Sequence, residues 1–132
     1  MADQWIRKTY GLSGGEVQTA NSLRGAALVQ GAMFATRIRD RFPSVPITEA
    51  HPKVVMKVLR AKTWARFARQ FSVVAPPRPS SDHERDATIS AVSAREGFEG
   101  RWKRDLSLER GLSEQDPQAY WLAPVRYFWP ET

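Results

Sequence analysis

The sequence contains no cysteine, and this absence excludes several chemistries. Disulfide frameworks, thiolate nucleophiles and cysteine-ligated zinc sites all require that residue. No stretch approaches the roughly 18 apolar residues of a membrane span, and the first ten residues, MADQWIRKTY, lack the apolar segment of a signal peptide. We therefore expect a cytoplasmic protein with no membrane partner, in which any metal ion would be held by oxygen or imidazole ligands.

Segments with strand character are also scarce. At 132 residues the chain has the length of one domain with its own core, so we expect a single domain over residues 1–132. Residue patterns favour strands only at 45–50 and 125–129. Helices are predicted over residues 2–10, 22–42, from Pro52 onward, 63–74, from Ser81 onward and over 99–108. The sequence therefore predicts a helix-rich α/β fold with few strands, too few for an independent sheet.

The net charge is positive, with 20 basic residues against 14 acidic residues and a formal charge of +6. The basic residues gather in three groups: Arg37, Arg39 and Arg41; Lys53, Lys57, Arg60, Lys62, Arg66 and Arg69; Arg101, Lys103 and Arg104. Such clusters favour a polyanionic partner such as nucleic acid. Basic side chains that bind its phosphates release the counterions condensed around it. Lys53, Lys57, Arg60 and Lys62 are the candidate nucleic-acid-binding residues. Solvated helix faces would explain the same pattern equally well.

The segment SSDHERDATISAVSAREG, residues 80–97, places a polar cluster at a helix start. Ser81 is the predicted N-cap, with Glu84 as its capping-box partner. Asp82 and Asp86 lie one turn apart, so a divalent ion would relieve their mutual repulsion. The helix dipole alone would also explain acidic residues in this first turn, without any metal. One stripe of the predicted helix, which we expect to face inward, contains His83, Asp86, Ala87, Ser90 and Ala94.

Glu49 follows the predicted strand over residues 45–50 at its C-terminal end, directly before His51 and Pro52. Open α/β sheets place their ligand sites at such strand ends. Glu49 is therefore a candidate member of a carboxylate cluster, and pairing with one of the many arginines is the alternative.

The two segments ITEAHPKVVMKVL and SDHERDATISAVSAREG together resemble a large prokaryotic family of predicted nucleases with a ribonuclease-H-like fold, long labelled as a domain of unknown function. The first segment resembles the family's strand motif with a glutamate and a following proline, and the second resembles its helix motif with spaced acidic residues and an alanine. The matching positions are Glu49 and Pro52 in the first motif, and Asp82 or His83, Asp86 and Ala87 in the second.

The resemblance implies a two-metal nuclease site that holds Mg²⁺ or Mn²⁺ with carboxylates from strands and a late helix. Glu49, Asp86 and His83 would be the catalytic residues, and Glu49, Asp82 and Asp86 the metal ligands. In these roles Glu49 is the strand ligand and Asp86 the helix ligand. His83 or Asp82 would serve as an auxiliary ligand or general base.

The family's N-terminal strands and their aspartate have no counterpart in this sequence, so the expected fold is the C-terminal portion of a ribonuclease-H-like domain. Three functions follow as alternatives. The chain is a subunit or fragment of a metal-dependent nuclease (a hydrolase), a non-catalytic remnant that binds nucleic acid or protein, or a self-contained helical domain. Because unpaired strand edges are templates for pairing, we expect a homo-oligomer or a complementary chain that supplies the missing strands.

Overall fold

The computed structural model describes residues 2–13, 25–74, 81–109 and 125–131. The elements in chain order are α1 (Ala2–Tyr10), α2 (Gly25–Arg41), α3 (Pro52–Val58), α4 (Trp64–Gln70), α5 (Asp82–Phe98), β1 (Arg104–Asp105), a 3₁₀ helix (Leu106–Leu108) and β2 (Phe128–Trp129). This mixed, helix-rich composition confirms the coarse fold class. No helix among the described residues combines the length and the apolar character needed to cross a membrane.

The chain divides into two compact units, and the single-domain expectation stays a prediction. One unit comprises residues 1–48 with 106–126, and the other comprises residues 49–105 with 127–132.

The first unit contains α1 and α2. The predicted helix over residues 2–10 is confirmed, and α2 ends at Arg41, just ahead of Pro43. The predicted start of the second helix at Ser22 lies outside the described residues. The strand predicted over residues 45–50 is reduced to one parallel bridge between Thr48 and Arg126, next to a hydrogen bond of 3.0 Å from the Arg126 amide to the Ile47 carbonyl. Pro46 has no amide hydrogen, which limits pairing here.

The second unit is built around α5. Its core is a cluster of buried residues contributed by α3, α4, α5 and the chain on either side of them, together with β2: Val55, Ala61, Phe67, Phe71, Ile89, Val92, Trp102 and Phe128. Aromatic rings form the centre, with Phe67 and Phe71 at 4.8 Å and Phe71 and Trp102 at 6.0 Å between centroids. Aromatic pairs at these separations stabilise a core by more than the burial of their apolar area alone.

The starts of the helices in this unit follow the sequence expectations. Pro52 occupies the first turn of α3, where its missing amide hydrogen costs nothing. The Ser81 hydroxyl accepts a hydrogen bond of 3.2 Å from the Glu84 amide, so the predicted N-cap of α5 is confirmed. The Thr63 hydroxyl caps α4 in the same way, accepting from the Arg66 amide at 3.3 Å.

The helix predicted over residues 99–108 is wrong. α5 ends when Gly100 adopts the left-handed conformation at φ 73°. The following chain forms β1, which pairs antiparallel with β2 so that Arg104 lies opposite Trp129 and Asp105 opposite Phe128. Buried Asp105 accepts a hydrogen bond of 2.9 Å from the Tyr127 amide, which fixes the register. The strand predicted over residues 125–129 is therefore confirmed only at β2 and at the bridge residue Arg126.

Glu96, on the buried face of α5, forms hydrogen bonds that anchor the C-terminal end of that helix. Its carboxylate, only 5% exposed, accepts hydrogen bonds from the Arg101 guanidinium at 2.5 and 2.8 Å and from the Arg95 guanidinium at 2.9 and 3.1 Å. Arg95 also donates to the Phe71 carbonyl at 2.8 Å, which ties α5 to the end of α4. The hydrogen bonds from Arg101, opposed in part by burial and reinforced by Arg95, lower the pKa of Glu96.

We expect Glu96→Gln to lower the free energy of unfolding by about 2 kcal/mol at pH 7, because charged hydrogen bonds to a buried acceptor are lost. The folded-state pKa lies below the ordinary value of 4.5, so the contribution of ionised Glu96 is complete above that pH. It is lost as the pH falls through the folded-state pKa. The stability gap between wild type and variant should therefore shrink below about pH 4.5 in urea titrations.

The matched control is Glu99→Gln, because Glu99 pairs with the same Arg101 but its side chain is 50% exposed. Its cost should stay within about 0.5 kcal/mol at all pH values. Equal losses for the two variants would contradict the assignment of Glu96 as the buried anchor.

Gly97 of α5 lies in close contact with Phe128 of β2. A Cβ atom at this position would overlap the ring of Phe128. That ring also packs edge to face against Phe98, with 5.0 Å between centroids.

Gly97→Ala should destabilise the protein by about 1–3 kcal/mol, since the overlap forces either Phe128 or α5 to move. The control is Gly31→Ala in α2, where a Cβ atom would meet nothing within 4 Å. There the higher helix propensity of alanine should stabilise by about 0.5–1 kcal/mol. Thermal unfolding of both variants measures the difference, and a neutral Gly97→Ala would contradict the described packing.

Candidate nucleic-acid interface

A groove with a volume of about 630 Å³ lies in the second unit between α3, the turn that follows it and the first turn of α5. Its lining is mainly basic: Lys53, Met56, Lys57, Arg60, Ala61, Lys62, Asp82 and Arg85. The four residues predicted to bind nucleic acid, Lys53, Lys57, Arg60 and Lys62, therefore all line one groove. Their convergence was not visible in the sequence, where they span ten positions.

The amphipathic pattern of α3 sets the wall that carries Lys53 and Lys57. Val54, Val55 and Val58 are buried, which leaves the two lysines on the exposed side one helical turn apart. Between these faces Met56 is half-buried and packs against the core, so it forms an apolar floor. The wall is positioned by burial of three valines.

A tight turn carries the other two predicted residues into the groove. After α3 the Arg60 amide donates to the Lys57 carbonyl at 3.0 Å, and the Ala61 amide donates to the Met56 carbonyl at 2.9 Å. This pair of bonds is the Schellman arrangement, which reverses the chain at the end of a helix. As a result Arg60 and Lys62 face the same space as Lys57.

The opposite wall comes from α5, where Arg85 lies between two carboxylates. Its guanidinium contacts an Asp82 oxygen at 2.9 Å and an Asp86 oxygen at 3.0 Å, and its Nε donates to Asp86 at 3.1 Å. The cation that offsets the repulsion between the two aspartates is therefore an arginine of the same helix. Sequence reasoning missed Arg85, although the spacing of Asp82 and Arg85 at i and i+3 in SDHERD indicated an ion pair.

The prediction that the stripe of His83, Asp86, Ala87, Ser90 and Ala94 faces inward is wrong. His83 and Ala87 are exposed, whereas Asp86, Ser90 and Ala94 are only partly buried. The buried positions of α5 are Ile89, Val92, Ser93 and Glu96. The two apolar side chains Ile89 and Val92 set the rotation of the helix, because their burial contributes more free energy than a stripe of small residues.

The remaining predicted residues lie around the start of α3. Glu49 is exposed and His51 is half-buried, with its ring 6.1 Å from that of Tyr127. Within residues 2–13, 25–74, 81–109 and 125–131, no group of three or more His, Asp or Glu side chains lies close enough to hold a metal ion. Arg85 also bonds one carboxylate oxygen of Asp82 and one of Asp86. The two-metal centre stays a prediction.

The side chains that line the groove carry more positive than negative charge. Five cationic side chains line it against the single carboxylate of Asp82, which is already paired with Arg85. Clustered charges of one sign in a concave surface focus the potential and attract oppositely charged ligands. The arrangement suits phosphate groups, which arginine and lysine bind by charge-assisted hydrogen bonds.

Comparisons of the chain with protein-family models, with curated proteins and with solved structures find no match.

Proposed function

We propose that the protein binds nucleic acid through the phosphate backbone, which occupies the groove between α3 and α5. The observation that carries the proposal is the convergence of Lys53, Lys57, Arg60, Lys62 and Arg85 on one concave surface. A polyanion pairs with several of these cations at once and releases its condensed counterions as it does so.

The spacing of the cations favours a chain of phosphates over a single small anion. Lys53 and Lys57 lie one turn apart on α3, a separation of about 6 Å along the helix axis. Arg60 and Lys62 extend the positive surface beyond the end of the helix. Successive phosphates of one strand would contact successive cations along the groove.

The composition of the lining predicts binding without sequence preference. Proteins that grip exposed bases use aromatic side chains as stacking platforms, and none of the eight residues that line the groove is aromatic. Phosphate contacts fix position and carry no sequence information. We therefore expect similar affinity for oligonucleotides of different sequence.

The salt dependence of binding tests this proposal. Because Arg85 is paired with Asp82 and Asp86, four cations remain for phosphate contacts, and a plot of log K against log salt for a labelled duplex should have a slope of about −3.6. The double variant Lys53→Gln/Lys62→Gln should bind more weakly, with the slope reduced in magnitude by about 1.8, because two phosphate contacts are removed. Fluorescence anisotropy at several salt concentrations measures both quantities.

A control with the same change in net charge is Lys8→Gln/Arg37→Gln, which alters two exposed residues of the first unit. It should leave the slope close to that of the wild type. If the two double variants weaken binding equally, affinity follows net charge and the groove is not the site.

A metal-dependent nuclease is the second candidate function. One observation favours it: Asp82 lines the groove, which places a carboxylate beside the proposed path of the phosphates. The sequence resemblance supports it as well, and Glu49, the predicted strand ligand, is exposed. The proposal needs a partner chain or second copy to complete the ligand set, because the described residues alone do not.

Cleavage assays separate the two functions. A nuclease should cut labelled DNA or RNA only with added Mg²⁺ or Mn²⁺, and Glu49→Gln and Asp86→Asn should each abolish cutting, since both remove a predicted ligand. Glu99→Gln is the control, because this glutamate lies at the opposite end of α5 from the groove. Unchanged nucleic-acid binding in Glu49→Gln, with no cleavage by the wild type, would eliminate the nuclease and leave the binding function.

A further inference from the structure

Arg60 has a backbone conformation that disfavours its own residue type. Its φ is +53°, in the left-handed region where the Cβ atom crowds the following carbonyl oxygen. Glycine avoids this contact because it has no Cβ atom, and it is the usual residue at this position after a helix. Arg60 is therefore less favourable to folding than glycine would be at the same position.

Other helices of the protein make the same turn with glycine. Gly11 follows α1 and Gly100 follows α5, at φ 61° and 73°, and the next amide in each case donates to a carbonyl five residues earlier. Ser72 after α4, at φ 50°, is the second case without glycine among the described residues. The turn itself therefore does not require an arginine at position 60.

The side chain of Arg60 supplies the reason for its presence, because it lines the basic groove with Lys57 and Lys62. We infer that Arg60 is a phosphate-binding residue whose guanidinium reaches the groove because the turn after α3 holds its backbone in the left-handed conformation, at a cost in stability. This inference rests on the proposed nucleic-acid function. It adds that one particular residue opposes folding and promotes binding.

A role for Arg60 in folding predicts the reverse. Cations near the last turn of a helix interact favourably with its exposed carbonyl groups, and Arg60 follows Leu59, the C-cap of α3. If this interaction were the reason for the arginine, its replacement by glycine would destabilise the protein. Stability and affinity together therefore distinguish the two roles.

The experiment compares Arg60→Gly with Ser72→Gly. Both substitutions relieve a left-handed backbone, so each should raise the melting temperature, by about 3 °C. Only Arg60→Gly should weaken duplex binding, by roughly tenfold at 50 mM salt, with the salt slope reduced in magnitude by about 1. Arg60→Lys should retain most of the affinity, because it keeps the charge.

Arg60→Asn serves as a second uncharged variant, because asparagine tolerates the left-handed conformation. It should reproduce the affinity loss of Arg60→Gly. If Arg60→Gly and Arg60→Asn both keep the wild-type affinity while Lys53→Gln/Lys62→Gln binds weakly, the inference about Arg60 is overturned. The proposal that the groove binds nucleic acid would then still stand. A lower melting temperature for Arg60→Gly would contradict the inference that Arg60 lowers the stability of the protein. If none of the groove variants alters affinity, the proposed function itself fails.

Discussion

The contact between Gly97 of α5 and the ring of Phe128 in β2 is the constraint on which the second unit depends. Because glycine carries no side chain, β2 lies directly against the helix, and Phe128 joins the same core as Ile89 and Val92. The pairing of β2 with β1 then fixes the chain that follows Gly100. With α5 held in this rotation, its first turn presents Arg85 and Asp82 to the groove.

Charge pairing within α5 decides which chemistry the groove supports. Arg85 forms ion pairs with both Asp82 and Asp86, so one cation of the same helix offsets part of the negative charge at its start. The lysines and arginines of α3 and its following turn face no comparable group of carboxylates among the residues that line the groove. This excess of positive charge on the groove is the basis of the proposed binding of phosphate groups.

Local sequence signals predicted much of the fold, and long-range contacts account for the errors. Ser81, Pro52 and the apolar spacing along the chain identified the helices, because capping and periodicity are properties of neighbouring residues. The rotation of α5 depends on Ile89 and Val92 meeting a core assembled from distant segments, and β1 forms only because β2 lies beside it. Four groove cations were named from their clustering, but Arg85 joins them only through the packing of α5 on α3.

Two residues of the groove also belong to the hydrophobic core. Ala61 is a member of the buried cluster and Met56 packs against it, while both line the groove. These two side chains therefore contribute both to the floor of the groove and to the packing of the second unit. Ligand binding in the groove and folding of the second unit are therefore thermodynamically linked. A ligand that binds only the folded groove shifts the unfolding equilibrium toward the native state, and the shift grows with the free ligand concentration.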